Sequence, residues 1–238
     1  MIQRSKEQAF VYEIFFSYQG EGLYTGLPQI FVRFAGCNIR CRCCDTAYSV
    51  KISAKAMLMS REKMLGEIKK LSVKNKKLLT NPPSVSFTGG EPLLYAGFLK
   101  ELLPDLKKSG FSVYLETNAT LPRKLEKIIR YCDIISMDFK FASECGRNLW
   151  KAHKEFLALS KNKGFVKTVI TNRTKFSEIK KSVETIKAVS EKTYLIIQPS
   201  TGKDRPGIRK LYDFHSYCLG ELPNARLMPQ MHKIYGLR

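Results

Sequence analysis

Cys37-Asn38-Ile39-Arg40-Cys41-Arg42-Cys43-Cys44 sets three thiols, Cys37, Cys41 and Cys44, at a C-x3-C-x2-C spacing. Three thiolates on one tight loop can hold three irons of a cubane cluster, whereas an ordinary [4Fe–4S] cluster takes four cysteines. The remaining iron is then open to a substrate or cofactor, and that opening separates a catalytic cluster from an electron carrier. A structural zinc site would want two C-x-x-C pairs, or one such pair with a paired histidine. Cys132, Cys145 and Cys218 are isolated, and His153, His215 and His232 are scattered without an H-x3-H pair, which disfavours zinc. The 7 cysteines are odd in number in a long chain, which argues against a disulfide framework. The three isolated ones read as small buried apolar residues. Cys43 adjoins Cys44, and adjacent side chains tend to point apart, so the two are not expected to share one cluster.

The 238 residues are 44% hydrophobic, enough for one domain, 1–238, with a substantial core. Met1-Ile-Gln-Arg-Ser-Lys-Glu7 is not followed by the apolar stretch of a secretory signal. No apolar run is long enough to span a bilayer. The expected location is cytoplasmic, where thiols stay reduced. Lys and Arg number 41 against 21 Asp and Glu, a net charge of +20. That balance permits nucleic-acid binding and favours acidic proteins or anionic small molecules. The lysines, such as Lys63, Lys69, Lys70, Lys74, Lys76 and Lys77, are spread over predicted helices with no aromatic-interleaved basic stripe. They read as a solvated surface, and direct nucleic-acid binding is not expected.

Working outward from the cysteines, strands and helices alternate. Apolar, β-branched runs predict strands at Gln29–Phe34, Ser84–Phe87, Ser112–Leu115, Asp133–Met137, Phe165–Ile170 and Thr193–Ile197. Helical periodicity predicts helices at Ser60–Leu71, with Ser60 as cap, at Leu93–Lys108, perturbed by Pro104, and at Pro122–Arg130. Further helices are predicted at Asn148–Lys161, Lys175–Ser190 and Ile208–Leu219. Six βα units argue for an α/β fold, a parallel sheet curled as a partial (β/α)6 TIM-like barrel. The segments before Gln29 and after Leu222 are expected to be short caps at the barrel mouth.

Active sites of βα barrels lie at the C-terminal ends of the strands. The cysteines follow the first predicted strand, Gly89-Gly90-Glu91 the second and Glu116-Thr117-Asn118 the third. Asp138 and Lys140 follow the fourth, Thr171-Asn172 the fifth and Gln198-Pro199 the sixth. Singly these are ordinary turn residues; their convergence on one face is the signal.

With C-x3-C-x2-C on the first βα loop and Gly89-Gly90-Glu91-Pro92 on the second, the chain resembles the radical S-adenosylmethionine (SAM) enzymes. The resemblance implies a [4Fe–4S] cluster on Cys37, Cys41 and Cys44 whose open iron chelates SAM. It implies that Gly89, Gly90 and Glu91 hold the methionyl amine, the glycines by close backbone approach and Glu91 by accepting from the ammonium. More specific stretches are Ser17-Tyr-Gln19-Gly20-Glu21-Gly22, Phe31-Val-Arg33-Phe-Ala-Gly36-Cys37-Asn38, Cys44-Asp45-Thr46, Leu115-Glu116-Thr117-Asn118, Gln198-Pro199 and Pro229-Gln-Met-His232-Lys233. Along essentially the whole chain this set resembles the 7-carboxy-7-deazaguanine synthase family. Those enzymes contract the ring of 6-carboxy-5,6,7,8-tetrahydropterin with loss of ammonia, feeding queuosine and related 7-deazapurine pathways.

The family resemblance implies that Arg33 clamps the pterin carboxylate, that Gln19 and Glu21 meet the pterin edge, and that His232 stands on the substrate side. It implies that Thr46 contacts a Mg²⁺ ion, which takes few protein ligands plus substrate oxygens, and that Glu116, Asn118 and Gln198 face the ribose and adenine of SAM. A 5′-deoxyadenosyl radical does the chemistry, so no side chain is expected as catalyst. An acidic flavodoxin or ferredoxin donor and a homodimer are also implied. Two departures stand out: Cys43 replaces the family's usual aromatic residue, and Ala119 its glycine. Ala119 is tolerable unless the backbone there needs a positive φ. Three rivals remain. A radical SAM activase, making a glycyl radical on a partner protein, would not need Gln19, Arg33 and Thr46 together. An RNA-binding protein with a structural cluster would bind tRNA in a salt-sensitive way. A plain ferredoxin would need a fourth cysteine and no barrel.

Overall fold

The computed structural model describes residues 7–160 and 162–237. The strands are β1 (Gln8–Tyr18), β2 (Pro28–Phe34), β3 (Met57–Ser60), β4 (Ser84–Gly89), β5 (Ser112–Thr117), β6 (Ile134–Asp138), β7 (Gly164–Ile170), β8 (Leu195–Pro199) and β9 (Ala225–Leu227). The helices are α1 (Arg61–Lys74), α2 (Ala96–Lys108), α3 (Pro122–Leu125), α4 (Ala142–Cys145), α5 (Trp150–Ser160), α6 (Phe176–Lys187), α7 (Ile208–Glu221) and α8 (Met231–Tyr235). One sheet runs in the order β3-β1-β2-β4-β5-β6-β7-β8-β9, and its two end strands are not paired with each other. From β2 to β9 every neighbouring pair is parallel. The architecture is an open, partial βα barrel.

All six predicted strands form, with ends within a few residues of expectation. The terminal segments also add strands to the sheet. Residues 8–18 form the longest strand and pair antiparallel with β2 and β3. Ala225–Leu227 adds a seventh parallel strand beside β8. Helix α1 starts where Ser60 accepts the Lys63 N–H at 3.3 Å, and it buries Met64 and Ile68, one turn apart. The predicted Leu93–Lys108 helix begins as a 3₁₀ turn at Pro92–Tyr95. It continues through Pro104 without breaking, because Phe98, Leu99, Leu102, Leu103 and Leu106 anchor it in the core. The predicted Pro122–Arg130 helix splits into one α-turn and a 3₁₀ turn at Ile129–Tyr131, each tied down by a buried apolar side chain, Leu125 and Ile128. The predicted end of the fifth helix, Lys161, lies outside the described residues.

The main core fills the space between the sheet and its helices, with Val32, Phe34, Val85, Phe87, Val113, Leu115, Ile135 and Met137 on the sheet side. The alternate residues face inward. Low in the barrel these are apolar, with Tyr114, Phe165 and Ile196 forming a separate buried cluster. Higher up they are polar, and there the cavity opens.

Ala119 has φ 55° and is fully buried. The loop after β5 therefore needs the left-handed conformation in which a glycine is the ordinary choice. Ala119→Gly would relieve a cost of ~1–2 kcal/mol but give up a buried methyl and chain stiffness of about the same size. It is expected to be nearly neutral in urea unfolding. Ala119→Val adds branching at a positive φ in a packed site and is expected to cost about 3 kcal/mol. Equal effects of the two substitutions would contradict the backbone assignment.

Candidate active site

A cavity of about 790 Å³ opens at the C-terminal ends of the parallel strands. Cys37, Cys41 and Cys44 all line it, and Cys43 does too. The cysteine loop hangs from the strand ends by backbone bonds: Gly36 N–H donates to Ser49 O at 2.7 Å, and Cys37 N–H to Val50 O at 3.0 Å. The Gly89-Gly90 turn lies directly on this loop. Gly90 N–H donates to Phe34 O at 3.0 Å and Glu91 N–H to Gly36 O at 2.8 Å. A Cβ on Gly89 would overlap the Phe34 backbone, and one on Gly90 the Gly36 carbonyl. Only glycines permit this contact. Asn118, at the end of β5, donates from Nδ2 to Asn38 Oδ1 at 2.9 Å and to Cys37 Sγ at 3.7 Å, joining a third strand end to the loop.

Glu91 is engaged within the protein. Its side chain is fully buried. Oε1 accepts from Leu93 N–H at 3.0 Å and Thr117 Oγ1 at 2.9 Å, and Oε2 accepts from Asn118 N–H at 2.8 Å. Burial pushes its carboxyl up to about 7, against the pull of those donors. The carboxylate is thus used within the protein, where it fixes the turn to β5. The neighbouring Gly89 and Gly90 face the cavity and Glu91 does not.

Glu116 lines the cavity and is held by two side chains. It accepts from Gln19 Nε2 at 2.6 Å and Thr88 Oγ1 at 2.8 Å. It therefore belongs with Gln19, one of the residues expected on the substrate side. Gln19 donates further to Gln29, which donates to Ser84, so the turn after β1 is anchored through buried amides.

The opposite wall holds a chain of charges. Lys167 projects inward from β7, is 8% exposed, and pairs with Glu21 and, at 3.1 Å, with Asp138. Lys140 pairs with Asp138 at 2.7 Å. Burial alone would raise both carboxyls, but the ammonium groups outweigh it and hold Glu21 and Asp138 below their ordinary range. Burial would lower Lys167, yet Asp138 and Glu21 raise it well above the usual lysine value. Gln230 donates to Glu21 at 2.7 Å, and Met231 N–H donates to Gly20 O at 2.9 Å. The C-terminal segment is thereby seated on the Gln19-Gly20-Glu21 turn. A Cβ on Gly20 would overlap the His232 ring. Ligand atoms of Glu21, Asp45 and His232 lie within 4.8 Å of one another, and the Thr46 hydroxyl donates to Asp45 at 3.3 Å. This is the oxygen-rich corner that could take a divalent cation. Arg33 lines the same cavity, its Nε–H donating to Glu13 at 2.8 Å.

Of the expected site residues, Cys37, Cys41, Cys44, Thr46, Gly89, Gly90, Asn118, Gln19, Glu21, Arg33 and His232 line this one cavity, as does Glu116. Gln198 sits beside Val169 of the cavity wall, fully buried, and neither atom of its amide has a hydrogen-bond partner. Glu13, Thr88, Lys167 and Gln230 are cavity residues that the motifs did not single out. Lys167 was visible as the one charged residue inside the apolar run Phe165–Ile170.

Residues 31–189 match the Radical SAM superfamily. The chain is 34% identical to a 7-carboxy-7-deazaguanine synthase of Geobacter sulfurreducens, over 98% of this chain and 99% of that protein. The chain belongs to the 7-carboxy-7-deazaguanine synthase family. A second member, from Methanopyrus kandleri, is 34% identical over 94% of this chain and 92% of its own. The crystal structure of QueE from Escherichia coli shares the fold, with a TM-score of 0.66 at 21% identity, covering 94% of this chain and 95% of that one. The cofactors of this family are a [4Fe–4S] cluster and SAM. The residues present fit both. Cys37, Cys41 and Cys44 line one cavity, and Gly89, Gly90 and Asn118 line it beside them.

Lys167→Met would leave Glu21 and Asp138 inside the wall without their shared counter-ion. It is expected to cost about 3–5 kcal/mol in urea unfolding of the apoprotein, and adding Asp138→Asn should recover part of the loss. A cost below about 1 kcal/mol would mean that solvent, not Lys167, balances these carboxylates.

Proposed function

We propose that this chain converts 6-carboxy-5,6,7,8-tetrahydropterin to 7-carboxy-7-deazaguanine and ammonia. The observation that carries the reading is similarity to the synthases along 98% of the chain, combined with a cavity that Arg33, Gln19 and Glu21 line together with the three cysteines. The overall reaction is redox-neutral, so a site that returns its electron and hydrogen needs no net oxidant. When bound, the cluster and SAM supply one-electron cleavage chemistry that amino-acid side chains cannot.

The chain's own residues bind and orient. Cys37, Cys41 and Cys44 are the cluster ligands in this reading. Gly89 and Gly90 present backbone to the methionyl end of SAM, while Asn118 and Gln198 face its ribose and adenine. Arg33 receives the substrate carboxylate through parallel N–H bonds. Gln19, Glu21 and Glu116 supply the mixed donors and acceptors that a pterin edge requires, and His232 with Gln230 covers the substrate from the C-terminal segment. Thr46, beside Asp45, would hold a Mg²⁺ ion, which typically takes few protein ligands. The electron comes from an acidic flavodoxin or ferredoxin attracted by the +20 charge, and the working unit is a homodimer. The chain works in the cytoplasm, where its thiols stay reduced. No helix among the described residues is long and apolar enough to cross a membrane. The glycyl-radical activase reading is not favoured, because it leaves Gln19, Arg33 and Thr46 without a task.

The test is anaerobic turnover of the reconstituted protein with SAM, Mg²⁺, a reductant and the tetrahydropterin, followed by mass spectrometry. The expected result is 7-carboxy-7-deazaguanine. In Arg33→Ala with an intact cluster, kcat/KM should fall about a hundredfold, the scale of a lost buried charge pair. Formation of 5′-deoxyadenosine without that product would overturn the substrate and favour the activase.

A further inference from the structure

Strand β1 changes face part-way along. Ala9 and Val11 are fully buried in the core between sheet and helices, and Val11 stands opposite Phe34, which faces the same way. In a regular strand Glu13 would follow them onto that apolar side, because side chains alternate with period two. The register instead shifts between Val11 and Glu13: Tyr12 is one residue in excess, and Glu13 lands opposite Arg33. Beyond this point the parity is reversed. Ile14 packs against the outer core, while Phe15 faces inward and stacks on Phe31 at 5.2 Å between ring centroids. A β-bulge beside a functional cavity re-aims a side chain, and the one re-aimed here is a carboxylate.

Its partners define what it does. Glu13 Oε1 accepts from Arg33 Nε–H at 2.8 Å and from the Tyr48 hydroxyl at 2.9 Å. The Arg33 guanidinium carbon lies 5.6 Å from the centre of the Phe15 ring. Glu13 and Arg33 are both largely buried, with side chains 18% and 15% exposed. Neither Nη atom of Arg33 has a hydrogen-bond partner among the described residues. A guanidinium is a rigid planar fork. With Nε engaged and one face resting on Phe15, the Nη1–Nη2 edge is the part left to meet a carboxylate with two parallel bonds. Tyr48 follows Cys44 by four residues, so the same carboxylate ties the cysteine loop to the clamp.

We infer that Glu13, delivered by the bulge in β1, is a positioning residue that sets the rotation of Arg33 so that its Nη edge receives the substrate carboxylate. The inference rests on the proposed pterin substrate.

The experiment measures binding rather than turnover. Reconstituted, SAM-loaded protein is equilibrated by dialysis with 6-carboxypterin, an oxidised and unreactive analogue, and separately with its 6-carboxamide. The wild type should prefer the carboxylate by about tenfold or more, the scale of charge-assisted hydrogen bonds. In Glu13→Ala that preference should shrink to within about threefold, with carboxamide affinity and cluster iron unchanged. Glu13→Gln keeps an oxygen that accepts from Nε and should retain most of the preference. Should Glu13→Ala not fold, Tyr48→Phe, which frees one side of the same carboxylate at an exposed residue, should still lower the preference. Full preference retained in Glu13→Ala, or in Tyr48→Phe if that variant decides, overturns the inference. So does equal weakening of both analogues, the mark of a merely structural role. A wild type without any preference overturns the carboxylate clamp of the proposed function itself, and this inference falls with it.

Discussion

One ammonium group, that of Lys167, holds the two halves of the cavity in register. It sits between Glu21, from the turn after β1, and Asp138, at the end of β6, with Lys140 on the far side of Asp138. Burying a lone charge is costly, and burying a paired one is tolerable only when every partner is present. The four groups therefore stand or fall together. They run from the turn that carries Gln19 towards Cys41 and Cys43, whose thiols are close enough to Lys140 to feel its charge. The chain as a whole carries a net charge of +20, whereas inside the barrel positive and negative groups alternate.

The same economy explains why the two glycine turns are so crowded. Gly89-Gly90 is pressed against the cysteine loop and Gly20 against His232, so each loop is fixed by contact with another rather than by its own hydrogen bonds alone. Glu91 belongs to this framework: its carboxylate anchors the turn to Thr117 and Asn118, and Asn118 in turn reaches Asn38 and Cys37. Cys43 lines the cavity with Cys37, Cys41 and Cys44, near Glu144, whose carboxyl is engaged by Arg173 and Thr171. Burial pushes the Cys43 thiol up to about 12.

Much of this was legible in the sequence because parallel strands buried on both faces read as short apolar runs, and their polar ends fall on one side of the fold. The cysteine spacing and the Gly-Gly pair announced themselves for the same reason: each is a local pattern with a local cause. What escaped was non-local. β1 was hidden because the bulge at Tyr12 breaks its alternation, so that neither period fits the whole of residues 8–18. β9 is too short to carry a pattern. The inward turn of Glu91 and the diversion of Glu116 to Gln19 depend on partners 26 and 97 positions away. Ala119 looked harmless until the backbone required a positive φ. Lys167 read as an interruption of a strand, and its meaning came only from the two carboxylates that the fold brings to it.

In the proposed function one cavity holds the cluster on three cysteines and a carboxylated pterin on Arg33. An anaerobic crystal structure of the reconstituted protein with SAM and 6-carboxypterin tests it most directly. The expected result is iron bound by Cys37, Cys41 and Cys44, with Cys43 not a ligand, and the pterin carboxylate within hydrogen-bond reach of Arg33. A cluster that takes Cys43 as a ligand, or a pterin bound away from Arg33, would contradict it.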